Sequence, residues 1–187
     1  MISLTPQEIK SLFIHRKDVF ATQQTNGAYY PTRRPITIID IERHLEGKVT
    51  IGSYCLSLAS TIKWACVDID GKPEELRRLR RQAQIIYEMF KDFPRILEFS
   101  GRKGFHIWVF FTPPVKAEYG QRLIKARLNR AGLNRHEIFP KQTELNESRK
   151  YGNLVKLPLA LHKVSGKKSK ILLMEGIENG RIIKSRK

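Results

Sequence analysis

Hydrophobic and polar positions along this chain repeat at two different spacings. Four stretches alternate as half-buried strands do: "VTIGSYCL" (49–56), "KWACVDID" (63–70), "RILEFS" (95–100) and "FHIWVFF" (105–111). The last two flank the basic turn "GRKG", and Pro113–Pro114 is expected to end the second of them. "HEIFP" (136–140), "NLVKLPL" (153–159) and "KSKILLMEG" (168–176) read as further strands. Helical spacing is clearest after Pro73, where Leu76, Leu79, Ala83, Ile86 and Phe90 mark one apolar face. Arg77, Arg78, Arg80 and Arg81 fall on the solvated side of that helix. Thr5, Pro6 and Glu8 form a helix-start signature, as do Thr37 and Asp40, with Gly47 as a stop. Another helix spans roughly 117–131. "QTNGAYYPTRRP" (24–35) and "KQTELNESRKYG" (141–152) read as loops. Helices and strands in this mixed order predict an α+β fold, with helices covering a mostly antiparallel sheet.

Composition narrows the class. A length of 187 residues suits one domain, or one plus a small appendage, and 41% hydrophobic residues suffice for a real core. Thirty-five Lys and Arg against 18 acids give a formal net charge of +17, which predicts attraction to a polyanion, nucleic acid above all. Cys55 and Cys66 sit in apolar runs and read as buried thiols, with no zinc site between them, as suits a reducing cytoplasm. No apolar run approaches the roughly 20 residues a membrane span needs, and the first residues lack a signal-peptide pattern.

On so basic a chain, isolated acids in apolar strands carry the chemistry. Asp68 and Asp70 lie two apart, so both leave their strand on one face and repel unless a proton or a cation sits between them. An oxygen-only donor set favours Mg²⁺ or Mn²⁺ over zinc. Glu137, in "HEIFPKQ", is the first choice for a third carboxylate, and Glu144 the second. The turn "SGRKGFHIW" (100–108) gathers Ser100, Arg102, Lys103, Gly104 and His106 into a phosphate-binding concavity. Lys156 and His162 project from the apolar run that follows Gly152 and can meet the same triphosphate.

These four segments, in this order, resemble the archaeo-eukaryotic primase superfamily. The likeness extends upstream through "DVFATQQTNGAYYP" and covers residues from about Asp18 to His162. It is strongest to the primase-polymerases associated with CRISPR operons and with transposon-linked conflict systems. The resemblance implies an RRM-like sheet (63–176) packed with a smaller αβ unit (1–62) and followed by a basic tail (177–187). It implies two-metal nucleotidyl transfer on a DNA template and primer, with ribo- or deoxyribonucleoside triphosphates as substrates. Asp68, Asp70 and Glu137 would be the metal carboxylates, and Ser100, Arg102, Lys103 and His106 the triphosphate contacts. Tyr29 and Tyr30 become candidates for sensing the sugar 2′-hydroxyl. The cysteine-rich zinc module of many relatives is missing from the sequence given, so a zinc module, a helicase or CRISPR adaptation proteins are the accessory partners to expect. Two other readings fit the basic charge: a non-catalytic nucleic-acid-binding module, and a metal-dependent nuclease.

Overall fold

The computed structural model describes residues 2–163 and 165–183. In chain order its elements are α1 (Pro6–Phe13), β1 (Phe20–Gln23), β2 (Tyr29–Thr32), α2 (Ile38–Leu45), β3 (Ile51–Tyr54), β4 (Thr61–Asp70), α3 (Leu76–Met89), β5 (Arg95–Phe99), β6 (Gly104–Lys116), α4 (Ala117–Arg130), β7 (Glu137–Phe139), β8 (Leu154–Lys156), β9 (Leu161–His162), β10 (Lys167–Lys168), β11 (Lys170–Glu175), β12 (Ile177–Glu178) and β13 (Arg181–Ile182). A five-stranded antiparallel sheet, in the order β11-β5-β6-β4-β7, forms the centre. A four-stranded antiparallel sheet, β2-β1-β3-β8, stands beside it.

Alternation along β6 decides what each face of the large sheet does. Ile107 and Val109 look one way, onto the side covered by α3 and α4, whose Leu79, Ala83, Ile86, Ile124 and Leu128 are buried. His106, Trp108 and Phe110 look the other way. There Trp108 meets Trp64 edge-on at 4.8 Å and Phe13 of α1 at 4.9 Å. Trp64 Nε1 donates to the Phe13 carbonyl at 2.8 Å, so the indole is buried without an orphaned donor. Each of the first two helices begins with the expected capping box, Thr5 with Glu8 and Thr37 with Asp40.

Buried His44, on α2, ties the small sheet together. Its Nδ1 accepts from the Ile51 N–H and its Nε2 donates to the Pro158 carbonyl, both at 3.0 Å. This assigns a neutral tautomer, and burial pushes the imidazole down to about 4.

Three expectations need correction. The loop expected at 24–35 is a hairpin: Tyr29 and Tyr30 lie on β2, where alternation sends them to opposite faces. Pro113–Pro114 does not end β6, which continues to Lys116; the register shift between Ile62 and Trp64 on β4 accommodates residues that cannot donate to the ladder. The dividing line drawn at residue 62 is crossed, because β8 leaves the later part of the chain to complete the small sheet. Of the basic tail, residues 184–187 lie outside the described residues.

Candidate active site

The register of the large sheet places four ionisable side chains in one row. Glu98 on β5 is opposite His106 on β6, His106 is opposite Asp68 on β4, and Asp68 is opposite Glu137 on β7. Directly paired residues share a face, with Cβ atoms about 4.5–5.5 Å apart. Local sequence supports the arrangement, since Glu98, His106 and Asp68 each stand between apolar neighbours, and Glu137 opens the apolar run Ile138–Phe139. The row lies at the seam between the sheets, where Lys156 of β8 reaches across to the Ser100 carbonyl at 2.7 Å.

Hydrogen bonds run along the row. Glu98 Oε2 accepts from His106 Nδ1 at 3.0 Å and from Trp108 Nε1 at 2.9 Å. The opposite ring nitrogen, His106 Nε2, lies 3.7 Å from Asp68 Oδ1. Burial alone would lower the His106 imidazole, but the charge and hydrogen bond of Glu98, and then Asp68, hold it above its ordinary value. Glu98 is fully buried, which would raise it, yet His106 keeps it below the usual carboxylate range. Asp68 goes the other way: burial pushes its carboxyl up, Asp70, Glu137 and Glu98 add to this, and His106 only partly offsets them.

Sequence reasoning missed Glu98. Its signal was an acid inside the apolar run "RILEF", the same signal that singled out Glu137.

Just above the row, the turn after β5 closes over Asp70. Gly104 pairs with Asp70, and a Cβ on Gly104 would come within 2.3 Å of Asp70 Oδ1 and 2.4 Å of the Ile69 carbonyl. Only glycine permits this approach. Lys103 pairs with Asp70 at 3.1 Å, and Arg102 is exposed. The β9–β10 hairpin buttresses the turn, with Ser165 Oγ donating to the Gly101 carbonyl at 2.8 Å. That hairpin carries His162, whose imidazole is lowered by burial and then by Lys156 and Arg102. Burial likewise lowers the Lys156 ammonium.

The expected residues are thus not equally placed. Asp68, Asp70, Glu137, Ser100, Lys103, Gly104, His106 and Lys156 gather at the seam, with Arg102 and His162 at its rim. Tyr29 is partly buried and faces this region; burial, then Glu98, raises its phenol. Tyr30 is 55% exposed on the far face of β2 and does not face the seam. Glu144 is exposed in the loop that follows β7.

The donor set suits a divalent cation. Buried Asp68 Oδ1 has no hydrogen-bond partner, although two acids flank it. Among the described residues, no three His, Cys, Asp or Glu side chains already converge as a ligand cluster. Two of the acids are paired with lysines instead: Lys141 holds Glu137 at 2.9 Å, as Lys103 holds Asp70. Both lysines are half-exposed on flexible stems and supply the positive charge that a cation would otherwise bring.

The fold is that of a primase-polymerase domain. It is similar to the archaeo-eukaryotic primase domain of the cyanophage S-2L primase-polymerase, with a TM-score of 0.59 and 13% identity over 92% of this chain and 90% of that one. Residues 24–175 match the archaeo-eukaryotic primase domain of TOTE conflict systems, and the chain belongs to that family. No curated protein matches it.

Proposed function

We propose that this domain is a DNA-templated primase-polymerase that adds nucleotides from nucleoside triphosphates to a primer or to an initiating nucleotide. The observation that carries the reading is the orphaned, buried Asp68 oxygen, set between Glu137 and His106 beside a glycine turn rich in cations. Asp68, Asp70 and Glu137 would hold two Mg²⁺ or Mn²⁺ ions. When bound, these ions would lower the pKa of the attacking hydroxyl and neutralise charge on the departing pyrophosphate. The chain's own groups would do the rest. Lys103 and Lys141 would release their carboxylates to the cations, and Lys103, with Arg102, would turn to the triphosphate oxygens. The N–H groups of the 101–104 turn and His106 Nε2 would orient those oxygens. Lys156 would add positive charge from the small-sheet side, and Tyr29 would lie beside the sugar.

The direct test is incubation with single-stranded template, labelled triphosphates and Mn²⁺, with and without primer. Products in the presence of both template and triphosphate are expected. Strand cleavage without triphosphates would indicate a nuclease instead, and template binding with neither reaction a passive module.

Glu98 acts through His106 and is a positioning residue. Glu98→Gln retains an acceptor for both His106 and Trp108 and is expected to keep most activity. Glu98→Leu frees the ring, and the KM for triphosphate is expected to rise about tenfold while template affinity stays unchanged. Equal kinetics for the two variants would show that the ring needs no such anchor.

A further inference from the structure

A second electropositive concavity lies at the opposite end of β4 from the acids. Two adjoining hollows, of about 440 and 420 Å³, share Ser11, Ile14, Lys17 and Lys63 and so form one trough along α1. Lys10 joins its lining at one end, and His15 and Arg181 at the other. From Lys63 to Asp68 the strand covers about 17 Å at its usual rise, which separates the trough from the catalytic row.

The trough is an arrangement of cations without counter-ions. No Asp or Glu lines it. Among the described residues, Lys10, Lys17, Lys63 and Arg181 make no salt bridge, whereas Lys103 and Lys141 near the catalytic row are both paired. Lys63 is partly buried and donates to the Ser11 carbonyl, and His15 is held by Thr61 Oγ1 at 2.9 Å. Both groups are lowered, first by burial and then by neighbouring lysines, so the protein bears a cost that an anion would relieve. The trough's length discriminates among anions. A single phosphate in either hollow would meet the shared Lys17 and Lys63 but leave the cation at the far end, Lys10 or Arg181, unmet.

We propose that this trough holds the phosphodiester backbone of a nucleic-acid strand, at a site separate from the catalytic row. Phosphate contacts of this kind fix the position of the strand without reading its sequence. The claim concerns binding alone and stands whether or not the acids carry out nucleotidyl transfer.

Fluorescence anisotropy of labelled single-stranded DNA against salt concentration, with the full chain, tests it. The variant Lys10→Gln/Lys17→Gln/Lys63→Gln is set against Arg77→Gln/Arg80→Gln/Arg81→Gln, which removes the same charge from exposed positions on α3. The trough variant is expected to bind about tenfold more weakly and to lose roughly two units of salt slope, at about 0.7 per phosphate contact. The α3 variant is expected to change little. Lys10→Gln/Lys17→Gln, both exposed, repeats the measurement without touching the partly buried Lys63. Equal losses in the trough and α3 variants would reduce the effect to net charge and overturn the proposal, as would no loss in either trough variant. Inorganic tripolyphosphate supplies the remaining arm: if it binds the wild type and not the trough variant, while both bind DNA equally, the trough is a small-anion site and the proposal fails.

Discussion

Replacing Asp68 with asparagine is expected to abolish nucleotide incorporation and, with no divalent cation added, to make the protein more stable. The two effects share one cause. Asp68 carries a buried, unpartnered oxygen and faces Asp70, Glu137 and Glu98. Its folded-state pKa lies above the ordinary value, so folding favours its protonated form. Such a group lends stability at low pH and loses it as pH rises through the folded value, leaving the ionised carboxylate a burden at neutrality. Asparagine keeps the shape and removes the charge. On the proposed function it would also remove a cation ligand, an interaction worth several kcal/mol in the transition state, and each 1.36 kcal/mol is tenfold in rate. A loss of roughly a thousandfold or more is therefore expected. Thermal unfolding with and without Mn²⁺ supplies a readout apart from turnover: the wild type should gain stability from the cation and the variant should not. Full incorporation by Asp68→Asn would end the catalytic reading.

The second large effect is acid sensitivity centred on His44. Its imidazole is lowered to about 4 by burial, while an unfolded histidine titrates near 6.5. Between those values the unfolded chain binds a proton that the folded one refuses. Stability from this residue is therefore complete above about pH 6.5 and is lost as pH falls toward 4. The full loss is on the order of 3 kcal/mol, a large share of a small domain's stability. Urea midpoints at pH 7.5, 5.5 and 4.5 would measure it. His44→Gln is expected to be weaker at pH 7.5, since a flexible amide must be ordered to meet both Ile51 and Pro158 and fills less of the buried space than the ring, and to show a flatter decline. Parallel declines in the two proteins would place the sensitivity elsewhere.

How much of this was legible in the sequence depends on how local the signal is. The long strands, the capped helices and the exposed arginine face of α3 follow from periodicity and cap chemistry, which act within a few residues. The small pieces β9, β10, β12 and β13 are two residues each, too short for any period to show. Tyr29 and Tyr30 were misread because turn residues surround them, while their pairing partner, β1, lies across a loop. The acids Asp68, Asp70 and Glu137 stood out as charges in apolar strands. Glu98 carries that signal too, but its role is not local: His106 and Trp108 converge on it only once the register is known. The Lys103–Asp70 pair is a contact of the same kind, fixed by the pairing of two strands, whereas Lys141 stands only four residues after Glu137 and is a local partner.

The late arrival of β8 has a consequence for how the chain reaches this state. Until Leu154–Lys156 leave the ribosome, the outer rim of β3 has no hydrogen-bonding neighbour, and its unpaired N–H and C=O groups are open to pairing with another nascent chain. About a hundred residues separate the two strands, which at ordinary elongation rates is a delay of roughly 5–20 s. Any truncation ending before residue 154 would make that exposure permanent, so shortened products should accumulate as insoluble material while the full-length chain stays dispersed.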